Sequence, residues 1–485
     1  MLAVVLIFIA CVLYWRWRRQ RKVKATEPPE LPGGWPIVGH LLRLVTDSCT
    51  LYDRIDVGHH EVTQMGGVVR AHTGTRTLYL LTDPDDSLTV ATASMEKDNF
   101  YNFAEPWLGH GLITAKYEIW KHHRKLLNPA FSQILLDTFM DAFNSQSKKM
   151  VENLENEAGK GFFDHSIYTR HNALETICMT ALGVDFTDTN LNSKYVQALE
   201  QVFKTLYERL FKVWLHSRKT FAWSNLKKKQ DAYLSILHNM SNTVLQRRKA
   251  EFNRKINADT KGIPGTKFKP FIDLIFELSS EKELFTDKEI RDHVDTILVA
   301  GHDTTATVLT FTMTLLGSYP DVQEKAFNEI QEVLGGKKDV EKADLTKLVY
   351  LEAVLKETMR FYTIVPVIAR RLKEDIKLKN YTLSGHKTCI IVLCGIHKHP
   401  IWGQDVNEFK PERWLAPDCP KAFSAFGLGK RNCIGKTYAM MSMKTTLAHV
   451  IRHFKIEADH TKMRVKIGVM IKSETGHHIS IVTRT

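Results

Sequence analysis

"AFGLGKRNCIGK", Ala425 to Lys436, places three glycines, three basic residues and one cysteine in twelve positions. The residues that follow, "KTYAMMSMKTTLAHVIRHF", carry helical periodicity, so Cys433 stands just ahead of a helix N-terminus. Glycine permits the positive φ angles that turn backbone N–H groups toward a sulfur. The partial positive charge at a helix start favours an anion, and neighbouring cations lower a thiol pKa. The pattern therefore predicts a thiolate, the reactive and metal-binding form of cysteine. By itself such a cysteine also fits a buried, inert packing residue, so the rest of the chain has to decide.

Helical periodicity dominates from about residue 110. The longest run is "TDKEIRDHVDTILVAGHDTTATVLTFTMTLLGSYP", beginning at Thr286. Thr286 and Glu289 form a capping-box pair, and Pro320 follows the end. About 33 residues at 1.5 Å each predict roughly 50 Å of helix. Its apolar centre predicts a course through the middle of the body. "DVQEKAFNEIQEVLGG" and "LTKLVYLEAVLKETMRFY" predict two more helices, the first stopped by Gly335 and Gly336. β-Branched alternation between residues 364 and 396, and again from 464 to 483, predicts short strands. A basic Gly/Pro loop spans Arg254 to Pro270.

With 485 residues the chain can bury a large core, and length alone suggests two or three domains. No other linker, repeat or low-complexity tract interrupts it, so one large body is expected. Seven scattered cysteines do not make a disulfide framework, which points to a reducing compartment. Six of the +13 net charges sit in "WRWRRQRKVKAT", Trp15 to Thr26, and the remainder is only mildly basic. Nucleic acid is therefore not implied. Before that cluster runs "MLAVVLIFIACVLYW", unbroken apolar sequence of about 15 residues against the ~20 needed to span a bilayer upright. The charges follow the apolar stretch instead of preceding it, unlike a cleaved signal peptide. Residues 1–15 are expected to be a membrane anchor with the positive flank in the cytosol. Trp15 and Trp17 suit the interface, and snorkelling arginines cover the short length. Residues 16–40 add a basic segment and a stiff Pro/Gly-rich linker, "EPPELPGGWPIVGH". Residues 41–485 are expected to form the single large body.

Phe426-x-x-Gly429-x-Arg431-x-Cys433-x-Gly435 resembles the haem-binding signature of the cytochrome P450 superfamily. Three further stretches match in that family's order. They are Trp120-x-x-x-Arg124 in "WKHHR", "AGHDTT" from Ala300 to Thr305, and Glu357-x-x-Arg360 with "FKPERW" downstream. Each is weak alone; four in order are a strong signal. "WKHHRKLLNPAF", "VAGHDTT" and "CIGKTYAMMSMKTTL" are closer to the microsomal family-4-type branch, particularly its insect members. The resemblance implies a mainly α fold with small β-sheets and a long central helix over a buried haem. It implies haem b with Cys433 as axial thiolate, and the departure from the branch at Ala300 implies that no covalent ester holds it.

The same resemblance implies the remaining roles. Gly429 and Gly435 let the loop approach the porphyrin, and Phe426 shields the sulfur. Trp120, Arg124, Arg431 and Arg370 hold the propionates, with Arg371 the neighbouring alternative to Arg370. Asp303 and Thr304 deliver protons during oxygen activation, and Gly301 opens the helix ladder for oxygen and water. Thr304 also fits a plain bond back to a helical carbonyl. Glu357 and Arg360 share a helix face and, with Arg413, form a structural triad. Phe103, Trp107 and Val365 are candidate substrate-lining residues. Ala300 stands where many relatives in this branch have the glutamate that esterifies haem.

The function implied is a monooxygenase of the endoplasmic reticulum membrane facing the cytosol. It inserts one oxygen atom of O2 into an apolar molecule, such as a fatty acid, hormone-like lipid or xenobiotic. Its electrons come from NADPH through NADPH–cytochrome P450 reductase, with cytochrome b5 a second candidate donor. Lys121, Lys125, Lys430, Lys436 and Lys444 are the expected docking cations. Two competing classes are a haem-thiolate isomerase or dehydratase of fatty-acid hydroperoxides and a non-enzymatic membrane helical protein. Asp303 with Thr304 argues against the first, and the four ordered motifs against the second.

Overall fold

Helices carry most of the chain, and the strands are short, gathered in four small sheets among the described residues. The computed structural model describes residues 2–20, 26–35, 38–74, 76–184, 189–257, 269–282 and 284–484. It resolves into two units. One is Met1–Phe100 with Val365–Asn407 and Pro420–Asn432; the other is Tyr101–Ile364 with Glu408–Cys419 and Cys433–Thr485.

The first unit begins with α1 (Leu2–Gln20), whose side chains from residue 4 to residue 14 are all exposed. No helix among the described residues is long and apolar enough to cross a membrane. The Trp15 and Trp17 side chains lie outside the described ones. Two further helices, α2 (Ser48–Gln64) and α3 (Pro84–Ala93), are each capped by an aspartate, Asp47 and Asp83. The sheet here contains β1 (Val68–Thr73), β2 (Arg76–Leu81), β3 (Val367–Arg371) and β4 (Thr388–Val392), in the order β1-β2-β4-β3. The β2–β4 pairing is parallel and the other two are antiparallel. The Pro/Gly-rich stretch is stitched to β1. Leu31 N–H donates to the Arg70 carbonyl and Arg70 N–H to the Pro29 carbonyl, both at 2.8 Å. Glu27 and Arg70 form an ion pair at 2.8 Å with side chains only 9% and 4% exposed.

The second unit is built on helices: α4 (Tyr117–Leu127), α5 (Ser166–Ile177), α6 (Thr189–Phe211), α7 (Asn225–Asn257) and α8 (Asp287–Ser318). After them come α9 (Pro320–Leu334), α10 (Lys342–Lys347), α11 (Val349–Phe361) and α12 (Lys436–His453). The long helix starts at the expected cap: Thr286 Oγ1 accepts from Glu289 N–H, and the Glu289 carboxylate accepts from Thr286 N–H. A threonine-rich helix can be buried only if its hydroxyls are satisfied. Thr296, Thr307, Thr310, Thr312 and Thr314 each donate to the carbonyl four residues back. At Gly317 a methyl group would lie 2.7 Å from the Ala458 nitrogen, so the glycine lets α8 lie against β5 (Phe454–Ala458). The unit's other labelled strands are β6 (Val465–Ile467), β7 (Ile471–Ser473) and β8 (His478–Thr483), with β8 paired to β5 and β7 to β6.

One predicted helix differs. The stretch from Leu345 to Tyr362 is not continuous: Leu348, fully buried with ψ 68, separates α10 from α11. The Glu329 carboxylate of α9 accepts from Tyr350 N–H at 2.6 Å and Leu351 N–H at 2.9 Å, satisfying the new helix start. Of the basic Gly/Pro loop, residues 258–268 lie outside the described ones.

Candidate active site

The residues of the cysteine loop belong to both units: Phe426, Gly429 and Arg431 to the first, Cys433 and Gly435 to the second. In the second unit Gly435 is the N-cap of α12, and its N–H donates to the Cys433 sulfur. Burial is the strongest influence on this thiol and pushes its pKa up. The Gly435 N–H, Arg124 and Lys436 pull the other way without prevailing, so the expected depression is absent from the metal-free thiol. Coordination to a metal ion removes that proton outright. The cysteine nevertheless keeps exposed area.

Trp120 and Arg124 are four residues apart on α4 and share a face. Trp120 is buried, and Arg124 Nε donates to Asn128 Oδ1 at 2.9 Å. Between Asp292 and Gly317 of α8, every residue except Ala300, Gly301 and Thr304 is buried. Those three lie on one face, which leaves a single open window at the middle of an otherwise enclosed helix. Thr304 Oγ1 donates to the Ala300 carbonyl at 2.6 Å, the same back-bond its buried neighbours make. Its lone pairs remain available to accept. The helix opening expected at Gly301 is not present, since α8 runs unbroken. A methyl group at Gly301 would meet Ile177 Cδ1 at 2.7 Å, so the glycine makes room for α5. Asp303 is buried and pairs with Lys472 of β7 at 3.3 Å, while its Oδ2 has no hydrogen-bond partner. No hydrogen bond joins Asp303 to the Thr304 hydroxyl.

Glu357 gathers donors from two segments. Arg360 Nε and Nη2 donate to it at 2.8 Å, Arg413 Nε and Trp414 Nε1 at 2.9 Å, and Lys410 N–H at 3.0 Å. Glu357 and Arg360 have no exposed side-chain surface and Arg413 has 7%. Phe103 stacks on the Arg209 guanidinium, and Trp107 packs edge-on against Phe203 at 5.6 Å.

In the first unit Gly429 has φ +68, and a methyl group there would lie 2.6 Å from the Ala91 carbonyl oxygen, so this position requires glycine. Gly435 is different: its φ is −88, and a methyl group would sit at ordinary contact distance, 3.9 Å from the cysteine sulfur. Phe426 packs edge-on to Phe423, which stacks on the buried His397. His397 Nε2 accepts from Ser424 N–H at 2.9 Å and so fixes the start of the loop. Arg370 and Arg431 are both buried, while Arg371 beside it on β3 is only partly so, and Val365 is half-buried. Lys97 joins the two buried arginines. Burial, then the Arg370 and Arg431 charges, hold its ammonium well below the ordinary lysine pKa. Lys97 was not among the expected residues; "MEKDNF" reads as an ordinary exposed loop.

The docking cations need one correction. Lys444 is buried and engaged, donating to the Leu345 carbonyl and to Glu352 at 3.0 Å. Lys121, Lys125 and Lys436 are exposed on the second unit, and Lys430 on the first.

A cysteine at a helix start, with an amide N–H on its sulfur and open surface, fits an axial ligand to iron. In the first unit the buried Arg370 and Arg431, with Lys97 beside them, suit a group that carries two carboxylates. A family model for cytochrome P450 matches residues 28–476. The chain belongs to the cytochrome P450 family and is a haem-thiolate monooxygenase; its mainly helical build with small sheets is consistent with that fold. Members of the family bind haem b through a cysteine thiolate. Among similar proteins are cytochrome P450 4V2 of Homo sapiens, 31% identical over 92% of this chain and 86% of the relative. Cytochrome P450 4c3 of Drosophila melanogaster is 31% identical over 100% and 94%. Cytochrome P450 4g1 of the same insect is 27% identical over 98% and 93%.

Proposed function

We propose that this chain is a membrane-associated monooxygenase that inserts one oxygen atom of O2 into an apolar substrate, with electrons from NADPH through a reductase. The observation that carries the reading is the window of Ala300, Gly301 and Thr304 at the centre of α8. Cys433 holds iron through its sulfur, and Gly435 N–H together with Arg124 steadies the negative charge there. Lys97, Arg370 and Arg431 take the propionates, with Trp120 and Arg124 as further donors. Bound haem supplies the iron that activates oxygen. Thr304 Oγ1 passes protons at the window, and Asp303 with Lys472 holds a proton reservoir one residue away. Glu357, Arg360 and Arg413 lock the fold.

The family match crosses both units, which supports one catalytic domain over residues 41–485. The apolar residues 1–15 and the basic run after them support anchoring in the endoplasmic reticulum membrane with the catalytic part in the cytosol. The exposed lysines of the second unit, Lys121, Lys125 and Lys436, suit an acidic reductase. Phe103, Trp107 and Val365 remain the candidates for substrate contact.

Thr304→Ala tests the reading. Haem content and the reduced-carbon-monoxide band should match the parent, and product formed per NADPH consumed should fall about tenfold or more. An unchanged ratio removes the window from the chemistry.

A further inference from the structure

A pocket of about 550 Å3 opens in the second unit, beside the Glu105–Leu108 turn, the end of α6, the start of α7 and the first turn of α8. None of the haem-loop, proton-delivery or triad residues lines it. Five cations reach this space, against the carboxylates of Glu105 and Asp292. Three of the five are answered by acids. Arg218 lies 3.6 Å from Glu105, Arg291 lies 3.7 Å from Asp292, and Lys227 lies 2.5 Å from Asp231. Asp292 Oδ2 is also taken by His110 N–H at 2.9 Å. Arg209 and Lys288 have no carboxylate within ion-pair distance among the described residues.

Arg209 is the distinctive member. It is 5% exposed, and its guanidinium lies 4.2 Å from the Phe103 ring centroid and 3.6 Å from that of Phe221. Nε donates to the Leu215 carbonyl at 3.2 Å, and neither terminal nitrogen makes a hydrogen bond among the described residues. Two aromatic faces hold the planar group in one orientation and leave its edge to the pocket. Burial, and then the like charge of Arg218, pull its pKa down to about 10. A fixed, desolvated fork with unused donors matches an oxyanion that can accept two parallel hydrogen bonds.

We propose that this pocket binds an oxyanion, a carboxylate or phosphate group, on the Arg209 fork, with Lys288 adding charge at the mouth. The anion belongs either to a soluble molecule or to the headgroup of an acidic lipid.

The test uses the full-length holoprotein. Thermal unfolding is followed against inorganic phosphate at constant ionic strength set with chloride. Flotation is then measured on phosphatidylcholine vesicles with and without phosphatidate. Arg209→Gln is compared with the parent and with Lys219→Gln, which removes an exposed cation outside the pocket. A phosphate-dependent rise in Tm that Arg209→Gln weakens about tenfold or more identifies a soluble oxyanion. A flat phosphate response, with phosphatidate binding that Arg209→Gln lowers well beyond Lys219→Gln, identifies a lipid headgroup. Arg209→Gln matching the parent in phosphate and Lys219→Gln on vesicles overturns the proposal. Should Arg209→Gln not fold, Lys288→Glu decides at an exposed position: it should weaken the same binding, and parent-like binding by both assays overturns the site.

Discussion

Two groups of buried charge in this protein are built on opposite principles. In the second unit, the charges of Glu357, Arg360 and Arg413 meet within hydrogen-bond distance and answer one another. In the first, Lys97 lies near the buried Arg370 and Arg431, and burial, then these two like charges, make its ammonium harder to keep. A buried ion pair with its partners in place is neutral toward the outside and favours one geometry. Cations of one sign drawn together inside a protein repel one another, and a negative group placed among them would relieve that repulsion. The lesson is that burial alone does not distinguish charges that answer one another from charges that repel. The sign balance does.

Removing the shared acid should have the greatest consequence. Glu357→Gln leaves two buried arginines around a neutral amide, and breaking a buried pair in this way costs about 3–5 kcal/mol. The urea midpoint should drop accordingly, with loss of haem following from loss of the fold. A variant as stable as the parent would mean that the arginines find other acids, and the first half of the contrast fails.

Lys97→Met should behave in the opposite sense. Relieving like-charge repulsion should leave the haem-free chain as stable as the parent or better by on the order of 1 kcal/mol, while haem retention falls. The pH dependence follows from the direction of the Lys97 shift. The folded state gives up this proton at lower pH than the unfolded state, so stability is diminished at low pH. It rises with pH between the depressed folded value and the ordinary 10.5. Lys97→Met should lack that part of the rise. Urea titrations of both haem-free proteins from pH 7 to pH 10 measure it. A variant that loses stability at every pH would class Lys97 with the triad.

The smallest effect concerns the loop that joins the two chemistries. Gly429→Ala forces a side chain into a positive φ against the Ala91 carbonyl and should cost about 1–2 kcal/mol or more. Gly435→Ala meets neither obstacle and should cost less than about 0.5 kcal/mol. Equal losses would show that the two glycines serve one purpose.

Much of this was legible because the signals are local. The Thr286–Glu289 cap, the stop at Gly335 and the helix start beside Cys433 each need only neighbouring residues to read. What escaped depends on distant partners. The break before Val349 is capped by Glu329, some twenty positions back, which no window over the helix itself reveals. β1 escaped because five successive residues, Val68 to His72, are all buried, which erases the alternation of a half-exposed strand. Lys97 and Lys444 look like surface lysines; only the packing of other segments makes one a member of a cation cluster and the other a buried partner of Glu352. The rise of the Cys433 pKa has the same origin, because nearby cations are visible in sequence and burial is not.

The pairing of Leu31 and Pro29 with Arg70 also sets where the polypeptide can be shortened. A chain that begins at Glu27 keeps the carboxylate to which Arg70 and Ser384 donate, together with the backbone bonds along β1. One that begins at Gly33 leaves the Arg70 charge without that acid at the edge of the sheet. Removal of the apolar stretch for crystallography or soluble production should therefore stop before Glu27, and a protease that cuts within residues 29–31 breaks the segment bonded along β1.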